Sequence, residues 1–168
     1  MLRGSIYFCL FVLIQVLFLN NIYYLRIVTP FLYLYFLIKL PIDTSRVAML
    51  LLSFGTGLVI DMFSNTHGLH AAACTFAGFY RNKLLNLVLD KEISYRTYPS
   101  FRNIGVATFL KYIFLFISVH CVTLFLIESF SFFDLEMLAI RIASGILLTT
   151  LVICVVEAFN MEGIKYGK

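Results

Sequence analysis

Residues Ile104–Ile127 read IGVATFLKYIFLFISVHCVTLFLI, an apolar run whose only charged residue is Lys111. Crossing about 30 Å of hydrocarbon takes roughly 17–25 predominantly apolar residues in helical form. The run is long enough, and its polarity does not alternate as it would in a strand of a membrane barrel. In lipid, a segment whose neighbours are also continuously apolar can satisfy its backbone only as a helix. The stretch therefore reads as a transmembrane α-helix.

Five more candidates surround it: Ser5–Tyr24, Ile27–Leu40, Arg46–Phe63, Leu69–Tyr80 and Leu138–Phe159. Ile27–Leu40 is short and bracketed by Pro30 and Pro41, residues that suit the start and stop of a helix. Leu69–Tyr80 is also short and is open to continuation as far as Leu89. The expected fold is all-α, a polytopic protein of six transmembrane helices in one membrane domain over residues 1–168, with a cytoplasmic basic loop at 81–103.

Composition agrees. The chain is 61% hydrophobic and 13% charged, with a mean hydropathy of +0.95, whereas soluble domains are about half apolar and about a quarter charged. A chain this short cannot hide so much apolar surface in a water-soluble core. The net charge of +4 is spread over the segments between apolar runs and forms no basic patch, so nucleic acid is not an expected partner. Cys9, Cys74, Cys121 and Cys154 lie inside apolar runs without metal-ligand spacing and read as small buried hydrophobes. Arg3 and Ile6–Leu19 look like a signal peptide, but the following Leu19-Asn20-Asn21-Ile22 lacks small residues for cleavage. An uncleaved first span is the expectation.

Lys and Arg placement sets the orientation. With the N-terminus inside, the cytoplasmic segments hold Arg3, Lys39, Arg46, Arg81, Lys83, Lys91, Arg96, Arg102, Lys111, Lys165 and Lys168. The other face keeps Arg26 and Arg141 beside Glu128, Asp134 and Glu136. The positive-inside rule then places both termini in the cytoplasm of an inner-membrane protein. Arg81–Asn103 is a solvated loop or, alternatively, a basic segment at the inner interface attracting anionic membrane lipids.

Polar residues within the spans are few. Asp61 lies near the outer end of the third span, where an acid is costly (about 2.5–3.5 kcal/mol at mid-bilayer) and functional use is the default hypothesis. A structural role is also open, with the carboxylate accepting hydrogen bonds from the tight Ser64–Gly68 turn or from a neighbouring helix. His67 and His70 form an H-x-x-H near Asp61, too few converging ligands for a metal centre. His120 and Glu128 are eight residues apart on the fifth span and suit interhelical hydrogen bonds. Neither a phosphate-binding loop nor a nucleophile elbow occurs, so no catalytic, cofactor or metal residue is expected. Small residues recur at four-residue spacing in Ser53/Gly57, Ala73/Ala77, Cys74/Gly78 and Ala139/Ala143, which lets membrane helices approach closely, within the chain or against a partner. Gly57, Asp61, Gly68, His70, His120 and Glu128 are the candidate structural or partner contacts.

With these residues in view, the sequence resembles the rod shape-determining MreD family in its Bacteroidota form. The core of the resemblance is Gly57-Leu58-Val59-Ile60-Asp61 followed by Ser64-Asn65-Thr66-His67-Gly68-Leu69-His70-Ala71. Gln15–Ile22, Pro30–Tyr33, Leu40-Pro41, Tyr98-Pro99-Ser100, Gly105, Lys111-Tyr112, His120 and Glu128–Ser131 add to it in order and spacing. The resemblance implies six helices related to the substrate-binding components of energy-coupling vitamin transporters. It also implies a non-enzymatic membrane role in the complex that elongates the cell wall. There the family binds the bitopic protein MreC, next to MreB, RodA and its transpeptidase. A small-molecule transporter component is the alternative, disfavoured because no Ala precedes Ala48 and such components often carry Ala-xxx-Ala on the first helix. A lipid-modifying enzyme is a third reading, with only Asp61, His67, His70, His120 and Glu128 to draw on.

Overall fold

The computed structural model describes residues 30–89, 97–129 and 135–163. The described residues form helices and loops, with no strand among them: α1 (Leu34–Ile38), α2 (Arg46–Ser64), α3 (Leu69–Val88), α4 (Phe101–Ile104), α5 (Val106–Glu128) and α6 (Leu135–Gly163). Among the described residues three helices are long and apolar enough to cross a membrane: Arg46–Ser64, Val106–Glu128 and Leu135–Asn160. They match the third, fifth and sixth expected spans to within a few residues. The first expected span, Ser5–Tyr24, lies outside the described residues.

Local chemistry fixes the helix ends. The Ser45 side chain accepts from the Ala48 amide and starts α2, as an N-cap serine does. At the other end Asn65 takes a left-handed conformation (φ 53°) and Gly68 another (φ 80°). Asn tolerates that region and glycine enters it freely, so four residues turn the chain from α2 into α3. Ser100 caps the single turn of α4 through the Asn103 amide.

Packing runs α2 on α3, α3 on α5 and α5 on α6. The buried positions of α2 (Met49, Ser53, Thr56, Gly57, Ile60, Asp61) recur at helical spacing. The opposite face shows Val47, Leu51, Phe54, Leu58 and Met62, each at least 44% exposed. A water-soluble bundle would place charges on such a face; here it is apolar, as a lipid-facing surface must be. Of the small-residue pairs, Ser53/Gly57, Ala73/Ala77 and Cys74/Gly78 lie at the helix crossings, or half-buried to fully buried beside them, while Ala139 and Ala143 face outward.

Two expectations need correction. Ile27–Leu40 is not a regular span over its described part: only Leu34–Ile38 is helical, about 7 Å of rise. Pro30 has no amide hydrogen to give a helix, and Pro41 disfavours helical geometry at Leu40. The segment instead threads the bundle interior, with Phe31–Tyr35, Leu37 and Ile38 all buried. Its backbone is satisfied by side chains and loops: the Phe31 amide donates to Thr149 Oγ1 (3.2 Å), Arg81 donates to the Leu40 and Pro41 carbonyls, and the Ile42 amide reaches the Thr97 carbonyl. Non-helical backbone at membrane depth is tolerated where protein surrounds it in this way. The second correction concerns the basic loop. α3 continues through Val88, so Arg81 is not a loop residue; its side chain is fully buried.

Candidate functional site

Two polar clusters lie inside the bundle, one at the α2–α3 turn and one toward the opposite end. Asp61, in the last turn of α2, is 3% exposed. Its Oδ1 accepts from Thr66 Oγ1, from the His70 amide (3.0 Å) and from His70 Nδ1 (3.0 Å), and its Oδ2 accepts from the Ala71 amide (2.8 Å). Three donors thus converge on Oδ1 and one on Oδ2, so both oxygens of the carboxylate are engaged. His70 and Ala71 occupy the first turn of α3, whose early amides have no intrahelical partner. Gly68, the residue at the N-cap, has no side chain to serve them. Asp61 therefore caps α3 from the preceding helix and fastens the turn through Thr66.

Gly57, one turn earlier, lets this happen. A Cβ there would lie 2.5 Å from the His70 carbonyl oxygen and 2.6 Å from the Ala71 nitrogen, and closer still to the Ala71 Cα. The bare backbone of α2 sits against the α3 N-terminus, within reach of the Asp61 carboxylate.

Behind His70 lies a second layer. Tyr33 and His120 share a hydrogen bond of 2.9 Å between Oη and Nε2, with both side chains buried. The Phe31 ring stacks edge-on to His70 and His120 at centroid distances of 6.2 and 5.4 Å. This layer joins α3, α5 and the threaded segment.

Toward the opposite end, Arg81 Nε donates to the Tyr112 hydroxyl (3.1 Å) and its Nη groups to the Leu40 and Pro41 carbonyls. Glu157 of α6, 1% exposed, accepts from Tyr35 Oη (2.6 Å) and from Lys39 Nζ (3.0 Å to each oxygen). Removing one member of a buried, hydrogen-bonded charge pair leaves the other uncompensated, at about 3–5 kcal/mol. Both clusters thus tie the threaded segment to the helices around it.

Of the residues selected from the sequence, Gly57, Asp61, Gly68 and His70 come together at one turn. His120 stands behind them, joined through Tyr33 and Phe31. Glu128 does not join His120: its side chain is 46% exposed and lies 3.7 Å from Arg141, an arrangement that contributes little. His67 is exposed while His70 is half-buried, so the H-x-x-H pair diverges. Among the described residues no three His, Cys, Asp or Glu side chains converge as metal ligands would. Cys74 and Cys121 are buried free thiols and Cys154 is half-buried; Cys9 lies outside the described residues. Sequence reasoning missed Tyr33, Tyr35, Lys39, Arg81, Tyr112 and Glu157. Glu157 had a signal: an acid inside the final apolar run, as informative by position as Asp61.

The structural role of Asp61 predicts a graded outcome. Asp61→Asn keeps an oxygen for one of the two α3 amides but turns an NH2 toward the other, and should lie between the parent and the leucine variant. Asp61→Leu leaves several donors unsatisfied, at about 1–3 kcal/mol each, and should lower the amount of folded protein in the membrane. If both variants fold normally and fail alike in the cell, the carboxylate acts as a charge and not as a cap.

Comparison of the chain with models of known families, with curated proteins and with solved structures returns no match.

Proposed function

We propose that this protein is a non-enzymatic membrane scaffold of the cell-wall elongation complex, holding an MreC-like bitopic partner. The family resemblance of the Gly57–Ala71 region supports the assignment. The observation that carries the mechanism is the internal use of the buried polar groups. Asp61, His120, Arg81 and Glu157 are each bonded within the chain, and together they stiffen a bundle whose outward faces are apolar. A rigid body of this kind holds a partner's helix in fixed register with MreB on one side and with RodA and its transpeptidase in the bilayer. In the proposed multi-pass topology both termini are cytoplasmic. The α2–α3 turn then faces outward, and the Arg81–Glu157 cluster lies toward the cytoplasm, on the side of Lys83, Arg102 and Lys111.

Affinity purification from native membranes tests the reading. A single-span partner with a coiled-coil ectodomain is expected to co-extract, with no ATPase stimulated by any small molecule. Co-purification of an ATPase with a tightly retained vitamin-like compound would replace the scaffold by a transporter component.

A further inference from the structure

A cationic elbow stands where the chain enters α5. The single turn of α4 packs on the base of α5 through Phe101 and Phe109, whose ring centroids are 5.0 Å apart. Gly105 makes the bend between the two helices with a positive φ of 81°, open to glycine. Arg102 follows Phe101, and Lys111 lies two residues past Phe109. The packed rings therefore hold both cations at one end of the bundle, and both side chains are exposed.

The charge on Lys111 is informative because it belongs to a membrane-crossing helix. Ala107, Phe114 and Val122 share its helical face and are exposed, while Phe109, Ile113, Phe116 and His120 are buried on the other side. The ammonium thus leaves α5 toward lipid. α5 has 23 residues, a rise of about 34 Å against ~30 Å of hydrocarbon. With the excess shared between the two ends, the Lys111 Cα lies about 5 Å below the boundary, and its apolar stem carries the ammonium back to the headgroups.

Other cations at this end are compensated within the chain. Arg81 serves Tyr112 and two carbonyls, Lys39 pairs with Glu157, and the Lys83 ammonium lies 5.2 Å from the Tyr80 ring centroid. Among the described residues neither Arg102 nor Lys111 has a hydrogen bond, an ion pair or a ring contact. Residues 93–127 contain no Asp or Glu. Asp43 is brought toward this end by the bond from the Ile42 amide to the Thr97 carbonyl, yet it pairs with neither cation. The counter-charge must come from outside the chain. Depth favours lipid over protein: phosphate is abundant at the hydrocarbon boundary, whereas an acid on a partner's spanning helix is costly there.

We propose that Arg102 and Lys111 form a site for the phosphate of a net-anionic phospholipid in the leaflet at the α4–α5 elbow. Leu110 and Phe114, exposed on the lipid side, lie along its acyl chains. A zwitterionic lipid carries its own cation beside the phosphate, so the elbow prefers a headgroup without one. The site does not depend on the scaffold reading, since a transporter component would carry it equally.

The test titrates the purified, delipidated full chain in mild detergent with phosphatidylglycerol or with phosphatidylcholine and counts bound lipid by native mass spectrometry. The first phosphatidylglycerol is expected to bind about fivefold more tightly, a ratio equivalent to the ~1 kcal/mol of one basic residue at an anionic surface. Lys111→Gln should remove most of that preference and Arg102→Gln part of it, whereas Lys111→Arg should keep it. Lys83→Gln removes the same charge from a residue already resting on an aromatic ring and should leave the preference intact. Equal affinity for the two lipids in the parent, or a preference that survives Lys111→Gln, overturns the proposal. An equal loss in Lys83→Gln does so too, because net charge alone would then explain the binding. So does a photocrosslinker placed at Leu110 that captures a polypeptide in native membranes in place of lipid, which would make the elbow a protein contact.

Discussion

Gly57→Ala is expected to reduce folded protein in the membrane severely, although it adds one methyl group. The new Cβ would press on the backbone of His70 and Ala71, and backbone atoms cannot swing aside as a side chain can. α2 and α3 must separate at their crossing. Overpacking of this kind costs about 1–3 kcal/mol. Separation also stretches the Asp61 bonds to the His70 and Ala71 amides, worth about 1.5–3 kcal/mol each because the acceptor is charged. Gly55→Ala is the internal control. Nothing lies within 4 Å of a Cβ at Gly55, so that variant should match the parent or gain slightly from better helix propensity. Membrane abundance and thermal stability in mild detergent measure both. Equal behaviour of the two alanine variants would remove the close approach at Gly57 from the account.

Arg81 carries the second large effect. Arg81→Met keeps length and apolar bulk but takes the Arg81 donor from the Leu40 carbonyl and the Tyr112 hydroxyl, while the Pro41 carbonyl keeps the Thr44 amide and hydroxyl. Unsatisfied groups in such an interior cost about 1–3 kcal/mol each, so the threaded segment should lose its anchor near Pro41 and protein yield should fall sharply. Arg81→Lys should lie between, because one ammonium cannot reproduce a planar fork that serves three acceptors at once. Protease sensitivity around Pro41 is the direct readout, with rising cleavage expected in the order parent, Lys, Met. A lysine variant equal to the parent would mean that Arg81 matters for its charge at a membrane face and not for its geometry.

These expectations separate what was legible in the sequence from what was not. α2, α5 and α6 were legible because transfer of a residue into lipid is a local quantity, and adding it along Arg46–Ser64, Val106–Glu128 and Leu135–Asn160 needs no knowledge of neighbours. Close packing near Ser53, Gly57 and Gly78 was legible from four-residue spacing, as was a tie between Asp61 and its own turn, since the partners lie within ten positions of it. The same spacing at Ala139 and Ala143 marked an outward face, because periodicity reports a stripe and not what covers it.

What the tertiary structure alone decided was the fate of residues whose partners are remote in the chain. Tyr33 meets His120 across 87 positions, Tyr35 meets Glu157 across 122, and Arg81 reaches Leu40 across 41. A hydropathy reading recognises two media, water and lipid, and assigned Arg81 to water and the segment ending at Leu40 to lipid. The interior of a helical bundle is a third medium. There an irregular backbone or a buried charge is stable when other side chains complete its hydrogen bonds, and only the assembled fold brings those side chains into reach.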